Sequence, residues 1–253
     1  MPALNLVKVL ENKKLTDTVF LLRLDAPACA SEALSGQFVH IRCGADNLLR
    51  RPVSICDIDG SVVTIVVETR GAGTRWLSAR KAGEFVDLLG PLGHGFDVSG
   101  GNILLLGGGI GTAPMLYAAH QAGGTVTAVL GFRTSGCVIL QEEFKSACGA
   151  AYLTTDDGTA GEHGFVTDVF QKLLKENHYD AVLACGPKQM LKAAAEISKQ
   201  YDISCQVSLE ERMGCGVGAC LVCACRTVKN DGEHMRRVCK DGPVFNAGEV
   251  LWE

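Results

Sequence analysis

The chain is 253 residues long, enough for two or three compact units with cores of their own. Hydrophobic residues make up 47% and charged residues 21%, and the net charge is −4 without a basic block, which excludes a disordered chain and a nucleic-acid surface. Apolar runs such as Ile103-Leu104-Leu105-Leu106 fall far short of the ~18 residues of a membrane span. Residues 1–25 lack the layout of a signal peptide, so a cytoplasmic protein with no membrane partner is expected.

Residues 1–99 read as all-β. Short β-branched or apolar runs occur at Leu6–Val9, Val19–Leu24, Phe38–Arg42, Val62–Val67 and Phe85–Leu88. Turn-forming residues separate them, as at Gly44-Ala45-Asp46-Asn47 and Asp57-Ile58-Asp59-Gly60. Strands at this spacing predict a small antiparallel barrel or sandwich.

Strand and helix signals alternate from Gly100 onward. Strands are expected at Asn102–Leu106, Val126–Leu130, Ala151–Thr154 and Ala181–Cys185, with helices at Pro114–Ala122, Glu142–Cys148, Phe165–Glu176 and Lys188–Lys199. The alternation predicts an α/β parallel-sheet domain over residues 100–207. Its first strand runs into Gly107-Gly108-Gly109-Ile110-Gly111-Thr112, a glycine turn aimed at a helix N-terminus, which can hold a dinucleotide phosphate. Thr112 replaces the last glycine of the G-x-G-x-x-G pattern. Arg133, rather than an acid, follows the next strand, so NAD and NADP both stay open on the residues.

From about Ser208 the hydrophobic periodicity disappears, and residues 208–253 are expected to need a metal or disulfide staple. Twelve cysteines are present. Cys29, Cys43, Cys56, Cys137, Cys148, Cys185, Cys205 and Cys225 are scattered and read as small buried apolar side chains. Cys215, Cys220, Cys223 and Cys239 follow C-x4-C-x2-C and then a distant fourth cysteine, the plant-type [2Fe–2S] spacing. Gly214, Gly216 and Gly218 remove the side chains that would keep main chain from sulfide and permit positive φ. Cys225 also stands at an x4 gap from Cys220, although Cys223 preserves the whole spacing. A structural zinc site and a disulfide pair are the alternatives, and zinc sites favour paired C-x2-C units where this chain has one. His40, His94, His120, His163, His178 and His234 show no ligand spacing and read as structural or solvated, and no hydrolytic constellation stands out.

Several segments together resemble a known family: Gly36-Gln37-Phe38-Val39, Arg50-Arg51-Pro52-Val53-Ser54-Ile55, Gly90-Pro91-Leu92-Gly93-His94-Gly95-Phe96, the glycine turn, Cys185-Gly186-Pro187 and the cysteine loop. The ending, with Gly242-Pro243-Val244-Phe245 and Glu249-Val250-Leu251-Trp252, narrows the match. Over nearly its whole length the chain is similar to the electron-transfer subunits of two-subunit, NAD-dependent (type B) dihydroorotate dehydrogenases, within the ferredoxin-reductase-like flavoprotein superfamily. The resemblance implies an FAD-binding β-barrel at 1–99, an NAD-binding domain at 100–207 and a [2Fe–2S] domain at 208–253.

It also implies roles. Arg51 would neutralise the FAD pyrophosphate, and Ser54, beyond Pro52 and Val53, would bond near the reactive edge of the isoalloxazine. Val66, Val67 and Glu68 map to the next flavin strand, where family members often carry a base at the position of Glu68. Gly73 and Thr74 map to the phosphate-side turn, while Gly108, Gly109 and Gly111 with Cys185, Gly186 and Pro187 would flank the nicotinamide. The implied partner is an FMN-containing catalytic subunit, in a heterotetramer of two copies of each chain that serves pyrimidine biosynthesis. Electrons would run from that FMN through [2Fe–2S] and FAD to NAD+. No orotate-site signal is visible, so this chain is not expected to oxidise dihydroorotate alone. Related subunits serve NAD(P)H–ferredoxin oxidoreductases, hydrogenases and sulfide-linked enzymes, a rival reading with the same cofactors. A zinc-binding interaction module is the rival of another class.

Overall fold

A computed structural model describes residues 3–229 and 231–252. Six strands, β1 (Ala3–Lys14), β2 (Val19–Asp25), β3 (Phe38–Arg42), β4 (Arg51–Asp59), β5 (Val62–Glu68) and β6 (Phe85–Leu92), form the first unit. They close into an antiparallel barrel in the order β1-β2-β5-β4-β3-β6, and two short helices, α1 (Pro27–Ala30) and α2 (Ala72–Ser78), lie between strands. Alternation fills the barrel with Leu22, Leu24, Val39, Ile41, Ile55, Ile65 and Leu88.

Strand β4 was not among the expected strands. Asp57-Ile58-Asp59, read above as turn punctuation, lies inside it, and the reversal comes at Gly60, whose φ is +58°. Val53 and Ile55 supply the inward face of β4, while Asp57 turns outward to a hydrogen-bond contact with His120 Nδ1 at 2.8 Å.

The second unit contains β7 (Asn102–Gly108), α3 (Ala113–Gln121), β8 (Thr125–Phe132), α4 (Gln141–Ala147), β9 (Ala150–Thr155), β10 (Glu162–His163), α5 (Val166–Glu176), β11 (Ala181–Cys185), α6 (Lys188–Gln200) and β12 (Ser204–Ser208). After it come a hairpin of β13 (Ala224–Lys229) and β14 (Gly232–Arg237), the single turn α7 (Val238–Asp241) and β15 (Val244–Asn246). The large sheet runs β10-β9-β8-β7-β11-β12-β15, parallel except for β15. Ile103, Leu104, Leu105 and Leu106 on β7 are fully buried at its centre, as a strand covered by helices on both faces requires.

The expected boundary at residue 208 is crossed by the chain. Strand β15, inside the stretch read as a separate tail, completes the α/β sheet by pairing Phe245 with Val207. Val238, Cys239, Phe245, Ala247 and Val250 share one hydrophobic core with Leu106, Phe170 and Val182 of the α/β unit. The tail therefore takes its core from its neighbours. Its apolar residues lack period because they meet that core from a loop, a single turn and a three-residue strand in succession.

Candidate cofactor sites

The cysteine loop is shaped by main-chain torsions that side chains resist. Gly216 and Gly218 have φ of +73° and +83°, and Leu221 is held at +62°. Folded in this way, the loop turns its amides onto sulfur. The N–H groups of Val217 and Ala219 point at Cys215 Sγ from 3.4 and 3.2 Å. That of Gly218 reaches Cys239 Sγ at 3.1 Å, and that of Cys239 reaches Cys223 Sγ at 3.4 Å. Cys215 interacts with Cys220, and Cys223 with Cys239, so the four sulfurs are brought together as two pairs. Cys225 lies on β13 and packs against the hydrophobic core.

The electrostatics of the pairs differ. Burial works to raise the Cys215 thiol, but hydrogen bonds from Val217, Cys220 and Ala219 outweigh it and hold it down at about 6. Burial and the adjacent Cys223 push Cys239 up to about 12. A metal reverses that rise, because coordination deprotonates a thiol outright. Among the described residues no three His, Cys, Asp or Glu side chains converge to hold a single ion, whereas two thiolate pairs in an amide cradle suit a cluster of two irons. The residues present fit [2Fe–2S].

Charged side chains tie the fourth cysteine to the loop. Arg237 binds both carboxylate oxygens of Asp241, at 2.9 and 3.0 Å, and donates to the Gly218 carbonyl at 3.2 Å. The Arg237 hydrogen bond holds the Asp241 carboxyl down at about 2. Arg236 bonds Glu249 at 2.8 Å and stacks over Phe245, 4.7 Å from its centroid. The main-chain N–H of His94, at the end of the barrel, donates to the Gly242 carbonyl at 2.6 Å.

A second site opens in the barrel wall. Strand β4 pairs with β3 over Arg51–Ser54 but with β5 only over Ile55–Asp59. The edges of Arg51-Pro52-Val53-Ser54 and of Val66-Val67-Glu68 are therefore not bonded to each other, and a wedge separates them. Val66 and Val67 are buried side chains, which leaves their main chain to face it. Arg51 lies over Gly73 so closely that a Cβ there would sit 2.6 Å from its Nε. Its guanidinium also donates to the Leu49 carbonyl and to Asn47 Oδ1. The Thr74 hydroxyl accepts from the N–H groups of Arg70 and Gly71 at 2.9 and 3.1 Å and so fixes the turn. Glu68 is paired with Arg70 at 2.7 Å, which supplies a base two residues after the position where the family often has one. A slot with unbonded strand edges, and a guanidinium seated over a glycine turn at its mouth, fits a flavin dinucleotide.

The third site lies where neighbouring strands diverge. Strands β7 and β11 are adjacent, with Gly107 opposite Cys185, and the chain leaves them toward opposite edges of the sheet. Such a switch point forms a crevice beyond the carboxyl ends of the strands. Gly108, Gly109 and Gly111 line one side, and Cys185, Gly186 and Pro187 the other. A Cβ on Gly111 would meet the Cys185 carbonyl at 2.6 Å, and one on Gly108 would meet Pro187 at 2.8 Å. Thr112 is fully buried with a hydroxyl that has no hydrogen-bond partner among the described residues. Cys185 is half-buried, and burial pushes its thiol up to about 12, so it is a neutral side chain at the crevice. The turn Gly109–Thr112 also touches β5, which brings the crevice to the barrel wedge.

The remaining cysteines divide. Cys29, Cys43, Cys56 and Cys205 are buried as expected, Cys148 and Cys225 are partly buried, and Cys137 is exposed. Sequence reasoning did not single out Thr112, Arg237, Asp241 or His40 as site residues. His40 is fully buried, with burial and then the Arg50 charge pushing its ring down to about 4. Each owes its place to tertiary contacts that no local spacing marks.

Comparison with known proteins matches residues 210–251 to the iron–sulfur cluster binding domain of dihydroorotate dehydrogenase B and residues 105–196 to the oxidoreductase NAD-binding domain. The chain is 43% identical over 255 residues to the dihydroorotate dehydrogenase B (NAD(+)) electron transfer subunit of Geobacillus thermodenitrificans, covering 96% of each chain. It is 40% identical over 247 residues to that of Caldanaerobacter subterraneus subsp. tengcongensis, covering 97% of each. Among solved structures, NADH-dependent reduced ferredoxin-NADP oxidoreductase superposes with a TM-score of 0.88 at 33% identity, over 100% of this chain and 92% of that one. The cytochrome P450 reductase GcoB of Amycolatopsis, at 22% identity and a TM-score of 0.67 over 81% of this chain and 68% of that one, shares the fold.

Proposed function

The chain belongs to the electron-transfer subunits of NAD-dependent dihydroorotate dehydrogenase B, and we propose that it joins an FMN-containing catalytic subunit, two copies of each, through the face that carries its cysteine loop. It is an oxidoreductase component that uses FAD, an iron–sulfur cluster and NAD. Bound together, these groups let two-electron hydride chemistry at NAD meet one-electron traffic at the cluster, with the flavin between them.

The residues divide the work. Cys215, Cys220, Cys223 and Cys239 hold the irons, and the amides aimed at their sulfurs stabilise thiolate charge. Arg51 and the Gly73-Thr74 turn take the pyrophosphate, and Ser54 faces the flavin ring from the wedge beside Val66, Val67 and Glu68. Pro52 and Val53 carry that edge of β4. Gly108, Gly109, Gly111, Cys185, Gly186 and Pro187 seat the nicotinamide nucleotide. The units that do this are residues 1–99, 100–207 and 208–253, the last sharing its core with the second.

The observation that carries the partner assignment is the exposed apolar rim of the cysteine loop. Val217 is 44%, Leu221 63% and Val222 59% exposed, beside thiolates whose electrons must leave the chain. A cytoplasmic location is part of the proposal, since thiolate ligands persist in a reducing compartment. Among the described residues no helix is long and apolar enough to cross a membrane.

The superposition on a ferredoxin-NADP oxidoreductase supports a second reading, in which the chain exchanges electrons with ferredoxin. Co-expression with the FMN catalytic subunit of the same genome separates the two. We expect the chains to co-purify in equal amounts and to reduce NAD+ with dihydroorotate, with neither chain alone doing so. Failure to associate, together with NADH-dependent reduction of ferredoxin, would establish the second reading instead.

A further inference from the structure

The outside of the barrel carries a buried histidine that the cofactor assignments leave unused. Alternation along β3 turns Val39 and Ile41 into the barrel and Phe38 and His40 outward. That outer face is covered by the tail: Phe38 shares a core with Cys223, Val238 and Cys239. His40 meets the cysteine loop itself. A Cβ on Gly216 would lie 2.5 Å from His40 Nδ1 and 3.1 Å from Cε1, so the loop main chain rests on the imidazole.

On its other side His40 pairs across the ladder with Pro52, next to Arg51 on the flavin strand. Its carbonyl accepts from Arg50 Nη1 at 3.2 Å, and Arg50 is anchored to Asp87 at 2.9 Å. The ring itself is fully buried, and among the described residues neither nitrogen has a hydrogen bond of ordinary geometry, although the carbonyls of Arg50 and Cys215 adjoin it. A buried imidazole is costly without a partner, and an apolar side chain would fill the same space.

We propose that His40 is the positioning residue that seats the cysteine loop on the flavin barrel, and so sets the separation between the two redox sites. The proposal rests on the flavin and cluster assignments above. A neutral imidazole offers one N–H donor, which can take the Cys215 carbonyl, and a flat face on which a glycine can lie. The loop is built from residues at positive φ and needs a fixed contact, because electron transfer slows steeply as its sites move apart. His40 itself neither gains nor loses electrons or protons in this role.

The test uses the full chain loaded anaerobically with FAD, iron and sulfide, reduced by NADH in a stopped-flow instrument. Flavin bleaching is followed by absorbance, and cluster reduction by freeze-quench electron paramagnetic resonance. For His40→Leu we expect unchanged FAD content and flavin bleaching, an altered visible circular dichroism of the oxidised cluster, and cluster reduction slowed about tenfold. His40→Asn, whose amide reaches the Nδ1 position, should restore both cluster signals. Unaltered cluster signals in His40→Leu would overturn the proposal, as would loss of FAD in step with the cluster, which marks general packing. If His40→Leu fails to fold, His40→Ala takes its place with the same expectation, since it removes the ring without adding an apolar branch; unaltered cluster signals in it would also overturn the proposal. Wild-type protein with no bleachable flavin would instead remove the flavin assignment beneath the proposal.

Discussion

Arg51 shows how much of a candidate site one side chain can organise. It starts β4, holds the preceding loop through Leu49 and Asn47, and covers the turn at Gly73. A guanidinium placed in this way is a preformed, permanently charged fork for phosphate oxygens. Arg51→Ala should weaken FAD binding by roughly 1.5–3 kcal/mol, the worth of a charge-assisted hydrogen bond. Flavin should then be lost on gel filtration, and unchanged occupancy after dilution would contradict the role. The arginine was legible in the sequence through its neighbours in R-P-x-S. The spacing of Cys215, Cys220 and Cys223 was legible too, because spacing within one loop is a covalent property of the chain, whereas Cys239 reaches them from a later segment. Arg237 and His40 were not, since the first matters through Asp241 and Gly218 and the second through a loop 176 positions away, reckoned from Gly216 to residue 40.

Strands and helices buried on a sheet announced themselves by their pattern. Strand β11 starts and ends at the residues expected, Ala181 and Cys185, because a run buried on both faces has abrupt polar limits. Strand β4 hid behind its own polar residues, since Asp57 and Asp59 point out of a barrel whose inner face takes only every second side chain. Strand β12 hid because Ser204-Cys205-Gln206-Val207-Ser208 is held by neighbours on both edges rather than by its own hydrophobicity. Strand β15 is three residues long and depends on the same sheet. Its Phe245 fills the shared core, carries the Arg236 stack and leaves no room for a side chain at Gly242. Phe245→Ala should therefore cost about 3–5 kcal/mol, as large-to-small changes at buried aromatics do. The midpoint of thermal unfolding should fall and a chelator should strip iron faster; an unshifted midpoint would show that β15 does not hold the tail in place.

At the scale of the whole chain, the candidate sites lie at junctions between units. The glycine turn of the α/β unit touches β5, α3 is pinned to β4 by His120 and Asp57, and the cysteine loop rests on His40 of β3. Each contact leads to the barrel wall that holds the wedge, so the unit assigned to flavin touches both of the others, which also share a core with each other. Such an arrangement suits a carrier whose middle group must exchange with a nucleotide on one side and a cluster on the other. The most direct measurement is a titration of anaerobically purified protein with NADH, after analysis for flavin, iron and acid-labile sulfide. One FAD and two irons with two sulfides per chain are expected, with flavin absorbance and then the cluster signal responding to NADH. Protein that contains zinc in place of iron, or a cluster that NADH leaves oxidised while the flavin bleaches, would contradict that expectation.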